Sequence, residues 1–236
     1  MPAYNEASIL EQNIGFIEKI VSQITDSYEI IIAEDGCSDK TAKMATDISN
    51  DYSKVVRLHS DNRLGKGLAL KRALKTSKGQ VLVFMDADLS TSLDHLYDVV
   101  NLVENGYDFV IGSRHIKGSR VRRPLSRGIA SRAYNLLVKL LFLDNVSDHQ
   151  CGFKGFNHQA VKGVIDEVTE NGFLFDTELI VRVKRKGLRI IEIPVKWIEP
   201  EDRIPKFNLL ADGIKMGLEL VKLRFELWEK RNQKSA

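Results

Sequence analysis

The chain has 236 residues, of which 43% are hydrophobic and 28% are charged. This composition predicts one globular domain, or one domain with an appendage, and excludes a disordered or collagen-like chain. The formal net charge is only +3. Bulk charge therefore gives no support to a nucleic-acid binder, and a basic surface would have to come from clustering.

The cysteines and the apolar runs bear on the compartment. Cys37 and Cys151 are too few for a disulfide framework, and neither has a second cysteine at metal-site spacing, which favours a reducing compartment. No uncharged apolar stretch approaches the ~18 residues that a membrane span requires. The N-terminus lacks the basic and apolar regions of a signal peptide. We therefore expect a protein that neither spans a membrane nor carries an export signal.

Short β-rich runs alternate with helical patterns along the chain. The first helix is predicted to open with a capping box, Ser8-x-x-Glu11, and to bury Ile14, Ile17 and Val21. Strands are predicted at 29–33, 55–59, 81–85 and 107–111, and helices near 39–49, 67–77 and 92–104. This alternation predicts an α/β fold, a mostly parallel sheet with helices on both faces. Ligands of such sheets bind at the carboxyl ends of the strands.

The loops that follow two of these strands are acidic. The strand at 29–33 runs into Glu-Asp-Gly-Cys-Ser-Asp (34–39), and the strand at 81–85 runs into Asp86-Ala87-Asp88. Residues two apart in an extended stretch point the same way, so Asp86 and Asp88 can aim both carboxylates at one point. Two hard oxygen ligands with open positions suit Mg²⁺ or Mn²⁺ shared with a diphosphate. Turn-forming or helix-capping aspartates are the alternative.

Several segments resemble known transferases. Five of them match, in order and spacing, the inverting family-2 glycosyltransferases of the GT-A fold: Pro-Ala-Tyr-Asn-Glu (2–6), Glu-Asp-Gly-Cys-Ser-Asp-Lys-Thr (34–41), Leu-Gly-Lys-Gly (64–67), Asp-Ala-Asp (86–88) and Gly-Ser-Arg (112–114). Three later segments look like the dolichyl-phosphate mannose and glucose synthases: Asp-His-Gln-Cys-Gly-Phe-Lys (148–154), Phe-Asp-Thr-Glu-Leu (175–179) and Glu-Ile-Pro-Val (192–195). The resemblance implies a GT-A domain over 1–206 and an amphipathic helical appendage over 207–236.

The resemblance assigns the donor site. The nucleotide sugar is held by Pro2, Tyr4, Glu6, Asp35, Lys66 and Asp86. A divalent metal, Mg²⁺ or Mn²⁺, bridges the diphosphate and is carried by Asp86 and Asp88. A core aromatic for Tyr4, a charge at a helix start for Glu6 and a solvated lysine for Lys66 are the alternatives. Ser90 stands where the mannose relatives usually have Gln, which leaves a third metal ligand open.

The acceptor site is assigned in the same way. The stretch 112–132 is densely basic and lacks the interleaved aromatic residues of a nucleic-acid groove, so it favours phosphate at a membrane surface. The resemblance implies that the lipid phosphate is held by Arg114, Arg127 and Ser131. It implies catalytic roles for Asp88, Asp176 and Gln150, with Glu178 beside them, and a basic loop over the diphosphate that contains Arg203 and Lys206. Whether Asp176 is a base or orients sugar hydroxyls stays open.

The predicted activity is transfer of a hexose to a polyprenyl or dolichyl phosphate, with inversion, at the cytoplasmic face of a membrane. UDP-glucose is favoured as the donor, with GDP-mannose next. Because a polyprenyl phosphate is already anionic near neutral pH, such an enzyme needs no strong base. The alternatives are a family-2 glycosyltransferase with a hydroxyl acceptor and a non-catalytic domain that binds nucleotide sugars.

Two apolar patterns and the N-terminus complete the predictions. The run 136–143 is predicted to lie either in a membrane interface or in the core. A C-terminal helix near 207–230 has one apolar stripe at Leu210, Ile214, Leu218, Val221, Phe225 and Trp228 and another at Leu209, Met216, Leu220, Leu223 and Leu227. Core, dimer partner and membrane surface are open for this helix. The family places an apolar strand before the segment at 2–6, whereas Pro2 follows Met1 directly, so we expect an upstream start or a shortened chain, and a less stable sheet.

Overall fold

A computed structural model describes residues 1–200 and 211–233. The elements in chain order are β1 (Pro2–Ala3), α1 (Leu10–Ile24), β2 (Ile30–Glu34), α2 (Thr41–Asp51), β3 (Val55–Leu58), α3 (Lys66–Thr76), β4 (Val81–Met85), α4 (His95–Glu104), β5 (Phe109–Ser113), β6 (Arg120–Arg122), α5 (Leu125–Phe142), β7 (Phe153–Asn157), α6 (His158–Glu167), α7 (Phe175–Arg185), β8 (Ile190–Pro194), β9 (Lys196–Ile198) and α8 (Ala211–Gln233). The four predicted strands are confirmed as β2 to β5, and three predicted helices as α2 to α4.

The strands form two main sheets and a two-stranded ribbon. Strands β1, β2 and β3 are parallel neighbours, and a second sheet has the order β4-β7-β5-β8. The parallel pattern is interrupted because β7 runs antiparallel to both β4 and β5. The sequence analysis did not predict β7, whose apolar run is broken by Lys154 and Gly155. Gly155 is required there, since a Cβ would lie 2.1 Å from Val99 Cγ1 of α4.

The capping-box prediction for α1 is wrong. The helix begins at Leu10 and has no side-chain cap. The backbone carbonyl of Glu6 instead accepts hydrogen bonds from the amides of Ile9 and Leu10 at 3.1 and 3.0 Å. A main-chain turn, and not a serine side chain, therefore accepts hydrogen bonds at the start of this helix. The predicted apolar face is confirmed, since Ile14 and Ile17 are buried in the core.

Strand β1 is short, as the sequence led us to expect. Its two residues pair with β2, where Pro2 lies opposite Ala33 and Ala3 opposite Glu34. The effect of this shortness on stability stays a prediction.

Helices α5 and α8 pack together on one side of the molecule and are apolar on two faces. The inner face of α8 packs against Val138 of α5 and Val181 of α7 through Leu220, Leu223 and Leu227, and Met216 is also buried. The outer face of α8 is exposed and consists of Ile214, Leu218, Val221, Phe225 and Trp228. In the predicted run 136–143, Val138 is buried, whereas Leu136, Leu140 and Leu143 are exposed. Leu209, Leu210 and the boundary at 206 lie outside the described residues.

Candidate active site

A cavity of about 480 Å³ opens at the carboxyl ends of β1, β2 and β4. The structure brings most of the predicted site residues together around it: Pro2, Tyr4, Glu6, Asp35, Lys66, Asp86, Asp88, Arg114, Arg127, Ser131 and Gln150. Strands β1 and β2 are parallel neighbours and β4 belongs to the second sheet, and the loops that follow these three strands meet at the cavity although they are far apart in the chain. Arg203 and Lys206 lie outside the described residues.

One end of the cavity is formed by aromatic and acidic side chains. The Arg63 guanidinium lies 3.9 Å from the centroid of the Tyr4 ring. The Asp35 carboxylate accepts hydrogen bonds from the amides of Leu64 and Gly65, at 2.5 and 3.0 Å. Each carboxylate oxygen can accept a further bond, so Asp35 both fixes this loop and keeps capacity for a ligand. Arg63 was missed by the sequence analysis; its position next to the Leu-Gly-Lys-Gly segment was the available signal.

Asp86 and Asp88 follow β4 and both line the cavity. Asp86 approaches Gly152 closely, since a Cβ at Gly152 would lie 1.8 Å from Asp86 Oδ2. Asp88 Oδ1 accepts a hydrogen bond from the Ser90 amide at 3.0 Å. The turn-forming role that was the alternative for Asp88 is therefore present, together with its place at the cavity.

The donor set fits a hard divalent cation with an open coordination shell. The Lys66 ammonium lies 2.9 Å from Asp86 Oδ1, so a positive charge is already favoured beside this carboxylate. Among the described residues, no group of three His, Cys, Asp or Glu side chains could enclose a metal ion. Asp86 and Asp88 would therefore hold Mg²⁺ or Mn²⁺ with the remaining ligands supplied by diphosphate oxygens or water. When bound, such an ion stabilises the charge of a departing diphosphate.

Asp176 is buried behind Lys66 and belongs to a chain of alternating charges. Its Oδ1 lies 2.7 Å from the ammonium of Lys154, which is itself fully buried, and its Oδ2 lies 3.5 Å from that of Lys66. Burial alone would raise the pKa of Asp176, but the two ammonium groups outweigh burial and lower it below its ordinary value. Burial would likewise lower the pKa of Lys66, and the carboxylates of Asp176 and Asp86 raise it instead. With these shifts in pKa, Asp176 and Lys66 are both charged at neutral pH.

Gln150 and Glu178 occupy different environments. The Gln150 amide donates a hydrogen bond to Thr177 Oγ1 at 2.8 Å and lines the cavity. Glu178 is fully buried, accepts hydrogen bonds from the amides of Thr169 and Glu170, and pairs with Arg182 at 2.5 Å. Through these contacts, Glu178 stabilises the loop at 169–170 and the helix α7.

The other end of the cavity is basic, and its predicted residues already have partners. Arg114 forms a fork on Asp148, with Nε at 2.7 Å and Nη2 at 2.8 Å from the carboxylate. Arg127 donates a hydrogen bond to Glu199, and Ser131 lies 3.0 Å from His115 Nε2. Their roles toward a lipid phosphate stay predictions. Two further lining residues, Arg123 and Trp197, were not singled out by the sequence analysis.

The chain is similar to known proteins in sequence and in fold. Glycosyltransferase AglD of Haloferax volcanii is 40% identical over 230 residues, which are 96% of this chain but only 36% of AglD. The dolichyl-phosphate beta-glucosyltransferase of Dictyostelium discoideum is 32% identical over 95% of this chain and 72% of its own length. Crystalline glucosyl-3-phosphoglycerate synthase from Mycobacterium tuberculosis, in complex with Mn²⁺, UDP and glucosyl-3-phosphoglycerate, superimposes with a TM-score of 0.63 at 21% identity, over 94% of this chain and 76% of the synthase.

The chain thus spans about a third of the length of AglD and most of the length of the glucosyltransferase. The family model described as "Glycosyl transferase family 2" matches residues 1–165. The predicted fold class is confirmed, and the chain belongs to glycosyl transferase family 2, with the GT-A fold.

Proposed function

We propose that the protein transfers a hexose from a nucleotide diphosphate sugar to a polyprenyl phosphate, with inversion at the anomeric carbon. The observation that carries this proposal is one cavity whose wall has both an acidic and a basic part. Asp86, Asp88 and Lys66 suit a metal and a diphosphate, and the arginines Arg114, Arg123 and Arg127 suit a second anion. The likeness to dolichyl-phosphate beta-glucosyltransferases supports glucose and dolichyl phosphate as substrates. The proposed donor is UDP-glucose, ahead of GDP-mannose.

The charges around the donor end suit departure of a nucleoside diphosphate. The Lys66 ammonium places positive charge beside Asp86, where the leaving group would become more negative, and Asp86 and Asp88 would hold a divalent cation that adds to this charge. Asp176 holds Lys66 from the buried side, at 3.5 Å. A carboxylate with a lowered pKa is a poor proton acceptor, so Asp176 positions Lys66 and does not act as a strong base.

The acceptor requires no such base. A phosphate monoester is already anionic, so its oxygen can attack the anomeric carbon from the face opposite the diphosphate. Catalysis then consists mainly of positioning and charge stabilisation. Gln150, held by Thr177 on the cavity wall, is placed to orient the sugar or the acceptor.

We further propose that the enzyme binds a membrane surface through α5 and α8. On α5 the residues that line the cavity are Arg127, Ala130, Ser131 and Tyr134, and the exposed apolar residues are Leu125, Ile129, Leu136 and Leu140. At ~100° per residue these two sets lie on opposite sides of the helix. The exposed apolar residues of α5 and the outer face of α8 together form an apolar surface. This surface is larger than the single exposed apolar residues that are scattered over an ordinary soluble protein.

The basic residues beside this surface favour a bilayer as its partner. Arg132 and Lys222 are exposed next to the apolar faces and suit anionic lipid head groups. No helix of the described chain is long and apolar enough to cross a membrane. Cys37 and Cys151 are free thiols, which suits the cytoplasmic face.

The activity is tested with purified protein, farnesyl phosphate or a longer polyprenyl phosphate, and radiolabelled UDP-glucose or GDP-mannose. We expect a chloroform-extractable sugar phosphate from UDP-glucose, a β-anomer by NMR, and loss of the product with EDTA. Asp88→Ala is expected to lower turnover by at least ~100-fold with an unchanged melting temperature. Absence of extractable product with every donor would refute the proposed activity, and a product formed only on a hydroxyl acceptor would support the alternative transferase.

Membrane binding is tested by co-sedimentation with vesicles of phosphatidylcholine and phosphatidylglycerol. Replacing both Phe225 and Trp228 by Ser is expected to lower the partition coefficient by at least ~10-fold, because each large apolar side chain contributes about 1.5–3 kcal/mol when buried. Glu219→Ser on the same helix is the control for helix propensity. Equal partitioning of the double variant and the control would refute the assigned surface.

A further inference from the structure

Three arginines line the basic end of the cavity, and their partners differ. Arg114 is committed to Asp148, and Arg127 is paired with Glu199. In the part of the chain that the structure describes, Arg123 has no carboxylate within ion-pair distance, although it lines the same cavity. Of these three arginines, Arg123 is thus the one whose charge is available to a ligand without first breaking an ion pair among the described residues.

Arg123 is held in place from both sides. It directly follows β6, which pairs with β9 so that Val121 lies opposite Trp197. Its guanidinium lies 6.0 Å from the centroid of the Trp197 ring, within the range of a cation–π contact. On the other side, a Cβ on Gly128 of α5 would lie 3.8 Å from Arg123 Nε. The side chain thus lies between the indole and the first turn of α5.

The electrostatic surroundings of Arg123 favour an anion. Burial, and next the nearby Arg114 guanidinium, lower the pKa of Arg123 below its ordinary value. An anion beside Arg123 would relieve both effects. In addition, α5 begins immediately after Pro124, with no side-chain cap and no acidic residue in its first turn. The positive end of an 18-residue helix dipole therefore lies next to Arg123.

We infer that Arg123, positioned by Trp197 and the start of α5, is the residue that receives the phosphate group of the acceptor. Arg114 stays paired with Asp148 and does not bind the acceptor directly. Arg127 contacts the phosphate only after its ion pair with Glu199 has broken. The ligand chemistry is a phosphate monoester. This inference rests on the proposed function, because it takes the acceptor to be a polyprenyl phosphate. The diphosphate of the donor is assigned to a different part of the cavity wall, beside Lys66 and Asp86.

Binding is measured without turnover, with farnesyl phosphate, inorganic phosphate and UDP as three separate probes. The protein has two tryptophans, so a Trp228→Phe background leaves Trp197 as a fluorescent reporter beside the site. Isothermal titration gives the same dissociation constants independently of the indole. Arg123→Gln is compared with Arg120→Gln, which removes the same charge from an exposed position of β6.

We expect Arg123→Gln to raise the dissociation constant for farnesyl phosphate by about 10–100-fold, the loss of one charge-assisted hydrogen bond of about 1.5–3 kcal/mol. Arg120→Gln should stay within about twofold of the parent protein, and UDP affinity should be unchanged in both variants. Arg123→Lys should recover part of the affinity. Circular dichroism and melting temperature verify that each variant is folded.

Three results would overturn the inference: farnesyl phosphate affinity that does not respond to Arg123→Gln, an equal response to Arg120→Gln, or a matching loss of UDP affinity, which would assign Arg123 to the donor. Farnesyl phosphate that binds more tightly than inorganic phosphate, with both dependent on Arg123, supports a lipid phosphate as the source of the anion. Binding that depends on Arg123 without turnover from any donor would refute the proposed function and leave this site standing. Turnover with an acceptor KM that does not change in Arg123→Gln would support the proposed function and refute this site.

Discussion

Replacing Lys154 by methionine removes a buried ammonium and keeps a side chain of similar length. In the native protein, Lys154 Nζ lies 2.7 Å from Asp176 Oδ1, and the two side chains are 0% and 1% exposed. At an effective dielectric constant of ~20, that distance corresponds to an attraction of ~6 kcal/mol, which offsets the desolvation of both charges. The Lys66 ammonium, 3.5 Å from Asp176 Oδ2, remains in the variant and compensates part of the loss. We expect Lys154→Met to lower the free energy of unfolding by about 3–5 kcal/mol at pH 7, the usual cost of leaving one buried charge unpaired.

The pH dependence gives this loss a characteristic sign. In the native protein the pKa of Asp176 is lowered, so its stabilising contribution is present above the unfolded pKa and is lost as the pH falls through the folded pKa. Without Lys154, burial dominates and the pKa of Asp176 rises. The variant should therefore be most destabilised near neutral pH, and the difference from the native protein should shrink as the pH falls toward 4.

Urea denaturation of a double-mutant cycle tests this reasoning. Asp176→Asn, Lys154→Met and the double variant are measured at pH 7 and pH 4.5, with circular dichroism as the probe. The double variant should be more stable than the sum of the single losses predicts, by more than ~1 kcal/mol, because neutralising both partners leaves no unpaired charge. Strictly additive losses at both pH values would refute a coupled buried pair.

The remaining predictions concern the metal carboxylate, the basic end of the cavity and a histidine outside it. Gly152→Ala places a Cβ 1.8 Å from Asp86 Oδ2; the carboxylate must move, and Mn²⁺ affinity, measured by electron paramagnetic resonance, should fall by at least ~10-fold. Glu199→Gln releases its arginine partner on α5, so the KM for polyprenyl phosphate should fall; a rise would contradict competition between Glu199 and the acceptor. The pKa of His59 is raised, first by its hydrogen bond to Glu34. The stabilising contribution of His59 should be complete below pH ~6.5 and should be lost as the pH rises through the folded pKa. Urea denaturation of His59→Gln should lack this dependence of stability on pH.

Much of the site could be predicted from the sequence because its signals are local. An apolar strand followed by Asp86-Ala87-Asp88, and a Gly-rich turn before a helix at Lys66, each specify a loop at the end of a strand. Parallel strands then bring such loops to one edge whatever lies between them. Most of the predicted site residues, although far apart in the chain, therefore line one cavity.

Other features could not be predicted because they depend on contacts between residues that are far apart in the sequence. Nothing near Asp148 in the sequence shows that it accepts the fork of Arg114, 34 residues away. The antiparallel direction of β7 is likewise set by pairing with β4 and β5, since its broken apolar run carries little strand signal of its own. Two amides at the start of α1 donate hydrogen bonds to the main-chain carbonyl of Glu6. This arrangement follows from the conformation of the preceding turn.

The sequence by itself determined the order of strands and helices, the position of the paired aspartates and the family of the chain, because apolar periodicity and turn chemistry are properties of neighbouring residues. Only the tertiary structure decided which charged side chains form ion pairs with each other and which remain available to a substrate. Lys154 and Asp176 are paired in the core, whereas Arg123 is held beside Trp197 in the cavity wall. The reason is physical: the energy of a charge depends on its distance from other charges and on its burial, and both are set by the fold.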